Sequence, residues 1–201
     1  MKILHISDTH GMHRQLTGLP DADVIVHSGD FTMAGTEDET SNFISWFRAL
    51  PYHHKIFIAG NHDDCLYGAE PFGLGGNCHY LCNSGIRING ERFYGVPLFM
   101  EDAVNGNDRH SIQNIPDDTD VLITHQPPSG ILDFDGRRHY GSPELLLTAV
   151  TIRPKLHLFG HMHSAFGNEV RNGILFSNAT VVDEQYILKT NEVATLSPVI
   201  I

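Results

Sequence analysis

The sequence predicts an α/β fold that opens on a parallel sheet, and three observations carry that prediction. Five short apolar runs each end in residues able to bind a metal: KILHISDTH at Asp8 and His10, DVIVHSGD at Asp30, KIFIAGNHDD at Asn61 and His62, DVLITHQPP at His125, and KLHLFGHMH at His161 and His163. Short apolar runs bounded by turn residues read as buried strands, and the carboxyl edge of such strands is where layered α/β folds bind ligands. Residues 1–60 read as strand, loop, strand, helix, strand, an order that favours right-handed parallel connections. Thr36 to Leu50 places Phe43, Trp46, Phe47 and Leu50 at i, i+3, i+4 and i+7, an aromatic stripe suited to packing on a sheet.

In chain order, residues 2–7 are a buried strand, 12–19 a loop or short helix, and 23–28 a second strand ending at Gly29-Asp30. The helix from Thr36 starts with a capping box, Thr36 with Glu39 three residues on, and Pro51 stops it. The third strand leads into Gly60-Asn61-His62-Asp63, where a glycine lets the backbone approach whatever lies in front of it. Residues 79–83, 86–89 and 92–96, with Asn89-Gly90 as a tight turn, read as an antiparallel hairpin region apart from the parallel sheet. Residues 99–118 carry no periodic pattern and read as a long surface loop at the pocket rim. Strand 120–124 precedes His125. A helix capped by Ser142, with proline at its first position, ends before Pro154. Strand 156–159 precedes the GHMH turn, 168–171 and 174–178 pair around Asn172-Gly173, and 181–188 and 193–200 read as further strand.

The length, 201 residues, and the 41% hydrophobic content suit a single domain spanning 1–201 with a sizeable core. A net charge of −11 argues against a track for long nucleic acid but not against a small phosphate ester. Three cysteines, Cys65, Cys78 and Cys82, follow no zinc-ribbon spacing and read as reduced, mostly buried thiols of a cytoplasmic protein. The opening MKILHISDTH is read as a strand rather than a signal peptide, and no apolar run is long enough to cross a membrane. Among the fourteen histidines, His13, His53, His54, His79 and His110 pair with no motif and read as surface or half-buried polar residues.

The strand-end set of Asp8, His10, Asp30, Asn61, His125, His161 and His163 comprises two carboxylates, an amide and four imidazoles. That donor mix suits two divalent ions such as Mn, Fe, Zn or Co rather than an all-oxygen calcium site. Asp30 is the natural bridge, and paired ions about 3.5–4 Å apart would share a water that ionises near neutral pH.

The ordered set Asp8-x-His10, Gly29-Asp30, Gly60-Asn61-His62-Asp63, His125 and Gly160-His161-x-His163 resembles the calcineurin-like metallophosphoesterases across residues 8 to 163. The intervening text, SGDFTMAG, LPYHHKIFIAGNHD, DVLITHQPPSGILD, SPELL and RPKLHLFGHMH, is similar to the small metallophosphoesterase domain-containing subfamily. The resemblance implies a layered α-β-β-α sandwich of two mixed sheets. It implies one metal held by Asp8, His10, Asp30 and His163, and another held by Asp30, Asn61, His125 and His161. It makes His62 the general acid, working with a metal-bridging hydroxide as nucleophile, and it implies phosphodiesterase activity on small substrates such as cyclic nucleotides. The phosphoprotein phosphatases of the superfamily carry an acidic residue three after the bridging Asp, followed by an Arg. Met33 and Ala34 stand there instead, so His62 needs another partner, with Asp63 and Asp64 as candidates, and the clamp for a doubly charged monoester is gone. Arg137, Arg138 and His139 follow His125 in a loop that could overhang the pocket. The alternatives are a phosphomonoesterase, a non-catalytic metal-binding scaffold on the same fold, for which broken ligands would be expected, and a nuclease, which would need a basic track.

Overall fold

The computed structural model describes residues 1–189, 193 and 195–201. The chain runs β1 (Lys2–Ile6), β2 (Val24–His27), α1 (Glu37–Ala49), β3 (His54–Phe57), β4 (Cys78–Tyr80), β5 (Ser84–Ile88), β6 (Glu91–Val96), α2 (Met100–Asn105), α3 (Asn107–Gln113), β7 (Val121–Thr124), α4 (Pro143–Ile152), β8 (Leu156–Phe159), β9 (Gly167–Arg171), β10 (Ile174–Asn178) and β11 (Val199–Ile200). These strands make two mixed sheets, ordered β11-β1-β2-β3-β4 and β5-β6-β7-β8-β10-β9. The first sheet is parallel from β1 to β4 with antiparallel β11 at one edge; the second is parallel through β6, β7, β8 and β10 with antiparallel β5 and β9 at its two edges.

Side-chain alternation explains why the two sheets stack. Ile3, Val24, Val26 and Ile56 of the first sheet meet Phe93, Val121, Ile123, Leu156 and Leu158 of the second in one apolar layer. Their neighbours Leu4, Ile6, Ile25 and Phe57 point the other way, onto Phe43, Trp46 and Phe47 of α1. Burying each of those aromatic rings is worth about 1.5–3 kcal/mol. On the far side, Tyr94, Val96 and Leu122 pack against Ile112 of α3 and Leu145 of α4. The layers are therefore helix, sheet, sheet, helix, as the resemblance implied.

The helix ends follow the sequence. Thr36 accepts from the Glu39 N–H while the Glu39 carboxylate accepts from the Thr36 N–H, completing the capping box, and Ser142 accepts from the Leu145 N–H.

Five expectations need correction. Residues 99–118 are not a loop: α2 and α3 occupy most of that stretch, joined through Gly106 in the left-handed conformation. Cys78–Tyr80 does not stand apart from the parallel sheet but extends it beside β3, and the β5–β6 hairpin feeds β6 in parallel beside β7. Residues 181–188 are not a strand but a small loop closed by one bridge between Val182 and Leu188; of 193–200 only Val199–Ile200 pairs, against β1, and Ala194 lies outside the described residues. His13 is buried, not a surface residue, with its ring against Phe43 and Trp46. Cys65 and Cys82 are half-buried, while Cys78 is buried as expected; all three are free thiols. Among the described residues no helix is long and apolar enough to cross a membrane.

Candidate metal centre

The strand-end residues converge at the seam between the sheets. The first sheet delivers Asp8 and His10 after β1, Asp30 after β2, and Asn61 and His62 after β3. The second delivers His125 after β7, and His161 and His163 after β8. Asp8, His10 and His163 bring ligand atoms within 4.8 Å of one another, and so do Asp30, His125 and His161; His10, Asp30 and His62 form a third such group between them. Asn61 joins the second group, its Oδ1 lying 3.1 Å from His125 Nε2 and 2.9 Å from His161 Nδ1. Asp30 Oδ2 faces both groups, 3.3 Å from His125 Nε2 and 3.7 Å from His10 Nε2. All seven proposed ligands are thus gathered, with Asp30 between the two halves.

The backbone reaches this arrangement through unusual conformations. Asp8, His10, Asp30 and His161 all have positive φ, of 54°, 40°, 57° and 68°. L-residues rarely adopt that region, and strain of this kind collects at functional sites. Glycines make room for the fold-over: a methyl on Gly60 would overlap the Asp30 carboxylate, and one on Gly160 would overlap Ser7 and Asp8.

Neighbouring groups lock the ligands. Asp8 accepts from the His161 N–H at 3.1 Å and the Thr180 hydroxyl at 3.0 Å. The rings of His10, His125 and His163 present Nδ1 to the carbonyls of Thr32, Ser28 and Asp183. Those bonds aim each Nε2 at the cavity, the usual outer support of a metal-binding imidazole.

The electrostatics test whether cations fit. Asp8 and Asp30 are buried, and burial alone would raise both carboxyls. The charges and hydrogen bonds of His163, His125 and His10 outweigh that burial for Asp8, and those of His125 and His10 for Asp30, so both carboxyls lie below their ordinary range. His125 is raised to about 9: burial opposes its charge, but Asp30, then Asp8, overcome it. His161, buried beside His125, is pushed down to about 4. His10 Nε2 and His163 Nε2 stand 3.3 Å apart, two acceptor positions facing one another. Buried carboxylates whose charge is balanced by imidazoles, with the Asn61 oxygen beside them, are the donor set that divalent ions would satisfy.

His62 sits at the rim. Its N–H donates to Asp30 Oδ1 at 2.8 Å, and its ring Nδ1 lies 2.9 Å from the Met33 carbonyl oxygen. That carbonyl orients the ring; neither candidate aspartate does. Asp64 is exposed. Asp63 is buried under the turn, where its carboxylate accepts from the N–H groups of Asp30, Thr32 and Gly60 and from the Thr32 hydroxyl. Those donors favour the anion, while burial and the Asp30 charge push the group up to about 7. Its role is to tie the Asp30 turn to the Asn61 turn.

Arg137, Arg138 and His139 are exposed and make their contacts away from the ligands. Arg138 lies over the Tyr140 ring, His139 bonds Asp133 at 2.6 Å, and the Arg137 and Arg138 N–H groups cap Asp135. Sequence reasoning missed the roles of the Met33 carbonyl and of Thr180. A carbonyl acceptor leaves no side-chain signature, and Thr180 lies beyond the last motif.

Candidate ligands from both sheets of a mixed two-sheet sandwich, gathered around a shared aspartate, are the arrangement expected of a metallophosphoesterase. A family model described as calcineurin-like phosphoesterase matches residues 1–165, and the chain belongs to that family. It is 32% identical to a UPF0046 protein of Caenorhabditis elegans, over 97% of this chain and 73% of that one. It is also 32% identical to human metallophosphoesterase domain-containing protein 1, over 90% of this chain and 66% of that protein. In fold it is similar to the phosphopantetheinyl hydrolase of Mycobacterium tuberculosis, with a TM-score of 0.58 at 14% identity, covering 92% of this chain and 90% of that one.

Proposed function

We propose that this chain is a dinuclear metal-dependent phosphodiesterase acting on small esters such as cyclic nucleotides, with His62 as general acid. The observation that carries the reading is the placement of His62: its backbone is bonded to Asp30, its Nδ1 faces a carbonyl, and its ring stands within 4.8 Å of the ligand atoms of His10 and Asp30, beside the cluster. With Nδ1–H donated to Met33, a protonated His62 carries its second proton on Nε2. It delivers that proton to the leaving oxygen as the ester bond breaks, and regains one from solvent. Thr32 steadies the turn by donating to the His62 carbonyl at 2.6 Å. Asp8, His10, Asp30 and His163 would hold one divalent ion and Asp30, Asn61, His125 and His161 the other. Bound there, Mn, Fe, Zn or Co would polarise the phosphoryl oxygens and lower the pKa of water.

Diesters are favoured because Ala34 cannot clamp a second negative charge, and the Lys189 ammonium beside the ligands is bonded to the His163 carbonyl. The loop of Arg137, Arg138 and His139 is the candidate contact for a substrate larger than the ester itself; Phe134, bridged to His139, accepts from Ser164 beside His163 at 3.4 Å. The free thiols suit a reducing compartment such as the cytoplasm. The acidic balance favours small substrates over long nucleic acid.

The test is metal reconstitution. Protein stripped with chelator is reloaded with Mn, Fe, Zn, Co or Mg and assayed on an aryl diester, its monoester and a panel of cyclic nucleotides. Restored activity with diester preferred supports the proposal. Monoester preference overturns the argument from Ala34, and bound metal without turnover turns the reading to a scaffold.

A further inference from the structure

Beyond the last metal ligand the chain makes a tight loop whose tip lies on the site. The Asp183 N–H donates to the Ile187 carbonyl, the Lys189 N–H donates to Val181, and Asp183 Oδ1 accepts from the N–H groups of Gln185 and Ile187. The loop is fastened to the metal centre at two points. The Asp183 carbonyl accepts from both the Tyr186 N–H and His163 Nδ1, and Lys189 Nζ donates to the His163 carbonyl at 2.8 Å. At the tip, Tyr186 adopts φ 59°, which is an outlier for a bulky side chain. The conformation turns its ring onto three site histidines: centroids lie 4.8 Å from His10, 5.4 Å from His163 and 6.0 Å from His62. A strained residue held by its surroundings over a ligand site is what a clamp requires. Among the described residues the phenol hydroxyl has no hydrogen-bond partner.

We propose that Tyr186 is a substrate-positioning residue of this site, its hydroxyl donating a hydrogen bond to a non-bridging oxygen of the phosphoryl group beside His62. This inference rests on the phosphoesterase reading above and deepens it. Position 34 is an alanine, which offers no charged group to a phosphoryl oxygen. A phenol supplies a neutral donor instead, which matches an ester carrying one negative charge. The ring meanwhile keeps the His10 and His62 imidazoles from turning away from the cavity.

The test uses the full chain loaded with Mn, with Tyr186→Phe and Tyr186→Ala. Metal content is measured first. Inorganic phosphate is then titrated calorimetrically, and kcat and KM are measured on an aryl diester. Tyr186→Phe keeps the ring and removes only the donor. The expected result is unchanged metal content, phosphate bound about tenfold more weakly, and kcat/KM on the diester down about 10- to 100-fold, the range for a hydrogen bond to a charged group. Wild-type phosphate affinity and kcat/KM in Tyr186→Phe would overturn the proposal, even if Tyr186→Ala were impaired, because the ring alone would then matter. Loss of metal from Tyr186→Phe would also overturn it. If the wild-type protein hydrolyses no ester, the functional reading fails separately, and phosphate affinity still decides the role of the hydroxyl.

Discussion

The two sheets contribute unlike chemistry to one site. The first supplies both carboxylates, the amide of Asn61, and His10 and His62. The second supplies three imidazoles and no carboxylate. Neither set is a centre alone: the negative charge resides on one sheet and much of its compensation on the other, so the site exists only when the sheets dock in register. The docking contacts reflect this. His161 and Thr180 of the second sheet's loops bond to Asp8 of the first, His125 bonds to Ser28, and His5 spans the layer between Ser28 and Ser177. The geometry of the candidate site and inter-sheet packing are consequently one property of the molecule.

The most severe way to break the pairing is Asp30→Asn, because Asp30 faces both ligand groups. Metal analysis should show loss of bound ion, and diester hydrolysis should fall on the order of 10⁴-fold, matching the several kcal/mol that Lewis-acid stabilisation supplies. His62→Asn separates chemistry from binding: metal content should stay near wild type, while turnover of esters with poor leaving groups falls about 10²- to 10³-fold. Equal loss on good and poor leaving groups would remove the general-acid role. Gly160→Ala pushes a methyl between the sheets against Ser7 and Asp8. Denaturant titration should show a loss of about 1–3 kcal/mol.

The seam can also be loosened by pH. Burial pushes His5, and likewise His27 and His157, down to about 3, so all three are neutral in the folded protein. The unfolded chain takes up their protons near pH 6.5. Their contribution to stability is therefore complete above about pH 6.5 and declines as pH falls toward about 3, the loss amounting to about 2 kcal/mol per histidine by about pH 5. In metal-free protein, urea midpoints compared near neutrality and near pH 5 should drop less for His5→Gln than for wild type. The mildest expected effect lies outside the seam: Thr36→Ala removes the α1 cap and should cost about 1 kcal/mol with activity intact.

What the sequence disclosed follows the same division. The ligands were legible because each sits at the end of an apolar run, where strand and turn residues announce themselves together. The α1 stripe and both helix caps were legible for a similar reason. The helices at 100–113 were not, since each spans two turns or fewer and α3 buries only Ile112, leaving no periodicity to detect. β4 was misassigned because a three-residue strand gives no clue to which neighbour it joins. The partner of His62 was sought among acidic side chains, yet the group that fills the role is a main-chain carbonyl, which any residue at position 33 could offer. Tyr186 was hidden because its position depends on a backbone conformation that its residue type disfavours.

Those left-handed turns also decide which replacements the chain can accept over evolutionary time. At Asp8, His10, Asp30 and His161 the backbone itself rejects β-branched residues, whatever the chemistry of the side chain, and admits asparagine or glycine most readily. The first mutational steps open at these positions therefore keep the backbone's shape while removing carboxylate charge at Asp8 and Asp30 and imidazole donors at His10 and His161. A lineage of this fold can lose catalysis one ligand at a time and still retain a folded protein with the same surface.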